Sequence, residues 1–390
     1  MTRQIAILGI ICFMLLFSVT SIYPVIKHFV IDRYGATLTQ AGVFVSVNLI
    51  AYALFSVFWG MISDKFGKRK PFIVTGLLGN SIMLLLQANA PDLKWLIIFR
   101  FVEGIFTVMV YSIAMTSVLD IADRRKYGRG MGLVGMGIAA GMAFGTSFGG
   151  IVGNINPVLP FYTSAAIIFT AFLLSLSILR DFPVKPSHSM VEGVRVFWKE
   201  RGLAVPYIFS FVDRFTAGFF VSVFPVMLGL LYNMEPMKIG FYISAFMMPF
   251  ALLQYPGGLI ADRYGRIVPL ILGSLVYGAS ISSVGFVEPP FLAIPLFLAG
   301  IVAAIMLPAS SALSGDLAPR ESRGAVIGGF NLSGSLGFAF GPVTAALIAE
   351  RYGFSESFLF AGLSVFLTTM IAVLLLRRIG HGLLLPAKYI

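Results

Sequence analysis

From Ala41 to Ser63 the chain carries no charged residue, and after a short loop holding one acid and four bases a second uncharged stretch opens at Pro71. A helix needs roughly 20 apolar residues to cross the hydrocarbon of a bilayer, so this spacing reads as two membrane helices joined at the membrane surface. Uncharged or nearly uncharged runs of that length begin near Ile5, Ala41, Phe72, Trp95, Gly130, Val158, Leu203, Ile239, Ile267, Pro289, Gly324 and Ser357. Of the 390 residues 58% are hydrophobic and 12% charged, whereas soluble domains are about 25% charged. A soluble fold cannot hide that much apolar surface. The expectation is an all-α, multi-pass membrane protein with twelve transmembrane helices in a lipid bilayer.

The net charge of +11 does not imply nucleic acid, because the bases follow topology. With the N-terminus in the cytoplasm, the inner segments hold Arg3, the bases from Lys65 to Lys70, Arg124 to Arg129, Arg180 to Arg201, Arg263 and Arg266, Arg320 and Arg323, and Arg377, Arg378 and Lys388. The outer segments hold only Lys27, Arg33, Lys94, Lys238 and Arg351. This positive-inside bias predicts a cell-membrane protein with both termini cytoplasmic. Cys12 is the only cysteine, and His28, His188 and His381 lie far apart; no metal site or cofactor is expected. The first apolar run lacks a small-residue cleavage site and is long enough to span, so it is expected to be a retained helix.

The loop Gly60-Met-Ile-Ser-Asp64-Lys65-Phe-Gly67-Lys68-Arg69 returns about two hundred residues later as Gly258-Leu-Ile-Ala-Asp262-Arg263-Tyr-Gly265-Arg266, so the chain is built twice. This Gly-x-x-x-Asp-basic-x-Gly-basic pattern closely resembles the signature loop of the major facilitator superfamily of secondary transporters. The resemblance implies two six-helix bundles related by a pseudo-twofold axis along the membrane normal, with substrate bound near the midplane at their interface. The expected divisions are a first bundle over 1–180, a cytoplasmic linker over 181–201, a second bundle over 202–378 and a tail over 379–390. It further implies conformational gating by Gly60, Asp64, Lys65, Gly67 and Arg69, with Asp262, Arg263 and Gly265 as a weaker second copy.

In the fourth segment, Arg100-x-x-Glu103-Gly104 resembles a second motif of the family, with glutamate where glutamine is commoner. A charge inside the membrane is expensive and marks function by default. Residues three apart share a helix face, so Arg100 and Glu103 form either a self-contained structural pair or a site for protons or substrate. The fifth segment repeats glycine at 137, 141, 145, 149 and 153, a stripe that lets another backbone approach closely. The spacing Gly132-x8-Gly141-x3-Gly145-Thr146-x-x-Gly149 resembles the family's antiporter motif, with Thr146 in place of proline. Gly328-x8-Gly337-x3-Gly341-Pro342 repeats it in the eleventh segment with the proline present. The family uses these helices at the seam between halves, which implies gating roles for Gly141, Gly145, Gly149, Gly337, Gly341 and Pro342.

The seventh segment carries Asp213-Arg214 some ten residues from its cytoplasmic end, hence near the midplane at about 1.5 Å per residue. Neighbours on a helix do not face one another, so each is expected to find its partner elsewhere. Burial disfavours the charged form of a carboxylate unless a cation lies close. Asp213 is therefore the first candidate for a proton carrier and Glu103 the second, with a buried interhelical ion pair as the structural alternative. Tyr23, Tyr111, Gln254 and Asn331 are polar groups at membrane depth that either bind substrate or bond between helices. The 37 phenylalanines suit a greasy pocket, although most must face lipid or packed helices.

These features read as a monomeric, proton-driven exporter of lipophilic or amphipathic small molecules, resembling the family's drug/proton antiporters. The rivals are a proton-coupled importer of an organic anion held by Arg100 and Arg214, or of a sugar-like solute, and a lipid or lysolipid transporter. No nucleophile-base arrangement and no Gly-x-x-x-x-Gly-Lys-Ser/Thr loop occurs, so neither an enzyme nor ATP as energy source is expected.

Overall fold

The structure, a computed structural model, describes residues 2–121, 127–181, 201–318 and 323–379. Expectations for Arg124 to Lys126, the linker with His188, Arg320 and the C-terminal tail fall outside these residues. Among the described residues twelve long helices follow in order: α1 (Thr2–Thr20), α2 (Leu38–Phe66), α3 (Lys70–Ala88), α4 (Leu93–Ile121), α5 (Tyr127–Ile155), α6 (Leu159–Ile178), α7 (Ala204–Leu231), α8 (Pro236–Tyr264), α9 (Ile267–Val284), α10 (Ala293–Leu317), α11 (Arg323–Tyr352) and α12 (Phe354–Ile379). Each contains a segment long and apolar enough to span a bilayer, and no strand occurs among the described residues. Large apolar side chains such as Leu54 and Leu252 lie exposed on these helices. In a bilayer that surface faces lipid and carries no penalty.

The first apolar segment, expected to be one retained helix, is not a continuous α-helix. Helix α1 stops at Thr20, a 3-10 turn covers Tyr23–Val25, and a π-helical turn covers Lys27–Asp32. Pro24 has no N–H to continue the α-helical ladder, and its ring clashes with the carbonyl one turn back.

Helix α2 opens with Thr37 as N-cap: its hydroxyl accepts from the Gln40 N–H at 3.2 Å, while the Gln40 side chain accepts from the Thr37 N–H at 2.9 Å. It closes at Gly67, whose φ of +64° places it in the left-handed region that glycine enters without strain. The second copy of the loop turns at Gly265 with φ +83°.

Packing divides the chain into two compact units, Met1–Ser187 with Phe224–Ser244, and His188–Val223 with Ala245–Ile390. The sequence repeat and the packing therefore draw different lines, because the α7–α8 hairpin end clusters with the first unit. Inside the first unit α1 packs on α5, α2 on α4, and α3 on both α4 and α6. The second unit repeats this plan: α7 bonds to α11, α8 crosses α10 at Gly257 and Gly300, and α9 packs on α10 and α12.

Candidate functional site

The deepest polar cluster of the first unit is centred on Glu103, which is fully buried. One carboxylate oxygen accepts from Arg100 Nη1 at 2.7 Å and Asn48 Nδ2 at 3.0 Å; the other accepts from Thr107 Oγ1 at 3.2 Å and Asn80 Nδ2 at 3.4 Å. Four donors from three helices hold it. They reach it because Gly104 lets α2 come close: a Cβ there would lie 2.6 Å from the Asn48 carbonyl oxygen. Arg100 stacks over Phe44 with its guanidinium carbon 4.9 Å from the ring centroid, and its Nε is buried with no hydrogen-bond partner. Tyr23 is buried within electrostatic reach of both charges. Tyr111 lies 6.1 Å, centroid to centroid, from Tyr52. The i,i+3 pairing expected of Arg100 and Glu103 is present, whereas Asn48 and Asn80 carried no local signal tying them to Glu103.

Among the described residues the second unit has no such cage. At the corresponding place Gly300 meets the Phe246 carbonyl and Pro249, and Leu296 and Ala299 are apolar and buried. Its charged pair is Asp213–Arg214 on α7. Partners elsewhere were expected for both, yet neither side chain makes an ion pair or hydrogen bond among the described residues. The groups near Asp213 are Arg214 on its own helix and Tyr277 on α9, whose hydroxyl lies 3.1 Å from Thr216 Oγ1. Gln254 is half-buried and Asn331 exposed; the structure does not bring them into a shared cluster with Asp213.

The two signature loops form ion clusters. Arg69, only 2% exposed, contacts Asp64 at 2.6 Å and donates from Nε to Asp120 at 2.9 Å and from Nη1 to Ser63. Asp181 caps the start of α3 by accepting from the Arg69 and Lys70 N–H groups at 2.9 and 3.0 Å. Lys65 is exposed, and Gly60 has open space where a side chain would be. In the second loop Arg266 contacts Asp262 and donates to Asp316 at 3.2 Å, while exposed Arg263 lies over Tyr264. The loop sequences showed the acid and the bases; Asp120, Asp316 and Asp181 as partners lie 50 to 112 residues away.

The glycine stripes pack inside their own units. Gly137, Gly141 and Gly145 lie against the α1 backbone, with a Cβ at Gly141 falling 2.5 Å from the Phe13 oxygen, and Gly149 lies against Ser21 just past the end of α1. Gly337 and Gly341 meet the Phe211 and Phe215 carbonyls of α7, and Pro342 lies over Gly218. Gly150, beside the stripe, meets Gly240 and the Pro236 carbonyl of α8. Thr146, standing where proline was expected, bonds through its hydroxyl to Ser244 Oγ of α8 at 2.9 Å, and Ser147 reaches the same atom at 2.7 Å.

A family profile described as the Major Facilitator Superfamily matches residues 8–212 and 207–388. An uncharacterised MFS-type transporter of Methanocaldococcus jannaschii is 23% identical, with 96% of this chain and 99% of that protein covered. The multi-drug resistance efflux pump PmrA of Streptococcus pneumoniae is 24% identical over 89% of this chain and 90% of its own. Among solved structures, a bacterial homologue of the human lysosomal transporter Spinster superposes with a TM-score of 0.84 at 16% identity, covering 96% of this chain and 97% of that one.

Proposed function

The chain belongs to the Major Facilitator Superfamily, and from that premise we propose a proton-coupled exporter of lipophilic or amphipathic compounds, working by alternating access with Asp213 as the proton carrier. The observation that carries this reading is the isolation of Asp213: a carboxylate about 14 Å along α7, at the 1.5 Å rise of a helix, with no ion-pair or hydrogen-bond partner among the described residues. A carboxylate without fixed donors can exchange its proton without breaking a network. Glu103 lacks that freedom, since protonation would forfeit part of its four-donor cage; its role in this reading is to hold Arg100.

Exchange follows from electrostatics. Ionised Asp213 attracts a lipophilic cation, and its protonation leaves Arg214 as the uncompensated charge, which repels that cation. A differential of about 5.5 kcal/mol reverses a two-state population from 1:99 to 99:1, so one proton at such a site supplies a sizeable part of the bias. The efflux relative at 24% identity supports the export direction, and the distribution of bases supports a cytoplasmic-membrane location with both termini inside. We take the transporting unit to be the monomer.

The test is uptake into proteoliposomes under an imposed proton gradient, following a fluorescent lipophilic cation with wild type, Asp213→Asn and Glu103→Gln. Loss of gradient-dependent uptake in Asp213→Asn is the expected result. Full gradient dependence in that variant would remove Asp213 from the role. One observation favours a second reading, a carrier of organic anions: Arg214 has no acid opposite it among the described residues. Competition by organic anions, with none by cations, would select it.

A further inference from the structure

Arg214 is held by shape alone. It makes no hydrogen bond or ion pair among the described residues, yet its stem lies directly on the α11 backbone at Gly334. A Cβ at Gly334 would fall 2.7 Å from Arg214 Cδ, 2.8 Å from its Nε and 2.7 Å from Ser210 Oγ. Real Cβ atoms essentially never approach so closely, so any side chain at 334 displaces the arginine.

The slot is rigid on both sides. Tyr207 donates to the Val326 carbonyl at 2.6 Å, Ser210 to the Phe330 carbonyl at 2.8 Å, and Ser333 to the Tyr207 carbonyl at 2.8 Å. These three bonds fix α7 and α11 in register immediately before Gly334. One turn further, Gly337 abuts the Phe211 carbonyl, which is backbone and cannot turn aside. At Gly334 two of the three close atoms belong to a flexible side chain. A methyl there moves Arg214, and it also presses on Ser210 Oγ, which is tied to the Phe330 carbonyl.

We infer that Gly334 is a positioning residue for proton exchange: by presenting no side chain it sets where the Arg214 guanidinium rests, and through it how readily Asp213 takes up and releases its proton. This rests on the reading of Asp213 as the carrier. Among the described residues, the charged and titratable groups within electrostatic reach of Asp213 are Arg214 on α7 and Tyr277 on α9. Of these only Arg214 touches Gly334.

The experiment is a double-mutant cycle on the pH midpoint of gradient-driven uptake of a fluorescent lipophilic cation in proteoliposomes. Gly334→Ala is measured in the wild-type and Arg214→Ala backgrounds, with Asp213→Asn alongside. Moving one unit charge by an ångström or two near another corresponds to a shift of about 0.5 pH unit or more at surface-like dielectric. The expected result is a shift of that size with Arg214 present and none in the Arg214→Ala protein. A missing shift, or one that persists without Arg214, overturns the inference while leaving the carrier reading intact. If Asp213→Asn keeps full gradient dependence, the carrier reading itself has failed. Should Gly334→Ala not fold, Arg214→Lys, which moves the charge without touching the α7–α11 bonds, takes its place beside Arg214→Ala; a pH midpoint equal to wild type in Arg214→Lys then overturns the inference.

Discussion

Glu103 and Asp213 are both carboxylates at membrane depth, and their surroundings separate their roles. Glu103 is fully buried, as is Arg100 beside it. Replacing one partner of a buried ion pair leaves the other uncompensated, at a typical cost of about 3–5 kcal/mol. Glu103→Gln is therefore expected to melt well below wild type, whereas Asp213→Asn, which breaks no pair among the described residues, melts with it. The single cysteine makes this measurable without engineering: Cys12 is buried, so a thiol-reactive dye reports unfolding on heating. Equal melting of Glu103→Gln and wild type, with coupling lost, would transfer the carrier role to Glu103. The sequence exposed the Arg100–Glu103 pair because three residues on a helix fix a shared face. The cage around it was not legible, since Asn48 lies 55 residues and Asn80 23 residues away from Glu103, and a span's sequence does not reveal its rotation against its neighbours.

At the scale of helices, one motif has two kinds of glycine. Gly141 and Gly337 meet backbone carbonyls of α1 and α7, while Gly132 and Gly328 have open space where a Cβ would sit. Alanine at 141 or 337 must push two helices apart, and overpacking of this kind costs about 1–3 kcal/mol. At 132 or 328 alanine meets nothing and relieves the entropy cost of a helical glycine, worth about 0.5–1 kcal/mol. The same dye-based melts should thus move in opposite directions for substitutions within a single motif. A uniform loss at all four would show that the spacing, and not the contact, is what matters. Thr146 supplies a third case. Its hydroxyl, like that of Ser147, bonds to Ser244 between α5 and α8, so Thr146→Val should destabilise the protein modestly, by about 0.6 kcal/mol on the average for side-chain hydrogen bonds between membrane helices. Periodic glycine was visible as a close-packing signal. Which helix it packs against required the fold, although the partner faces carry small residues of their own, Gly9 and Thr20 on α1 and Gly218 on α7.

Across the whole molecule the duplication preserved geometry and changed its energetic weight. Both loops place an arginine between the loop acid and a second acid fifty-odd residues on: Arg69 with Asp64 and Asp120, Arg266 with Asp262 and Asp316. The repeated loops were apparent from sequence, and so were the twelve spans, because uncharged runs of membrane length admit few alternatives. What the repeat could not reveal is burial. Arg69 is 2% exposed and Asp120 4%, whereas Arg266 is 24%, Asp262 63% and Asp316 58% exposed. Water and salt screen the second cluster, and exposed pairs of that kind contribute about 0–1 kcal/mol. In the first cluster, where Asp64 is 24% exposed but Asp120 is buried, removing the arginine leaves two acids without their shared cation, at a cost of about 3 kcal/mol. Arg69→Gln should therefore destabilise the protein strongly and almost independently of salt. Arg266→Gln should have a small effect that fades between low salt and about 1 M, where the screening length falls to about 3 Å. Melting curves of the two variants across that salt range decide the matter: parallel, salt-sensitive losses of similar size would mean that the two clusters contribute equally, and that the difference in burial has no energetic consequence.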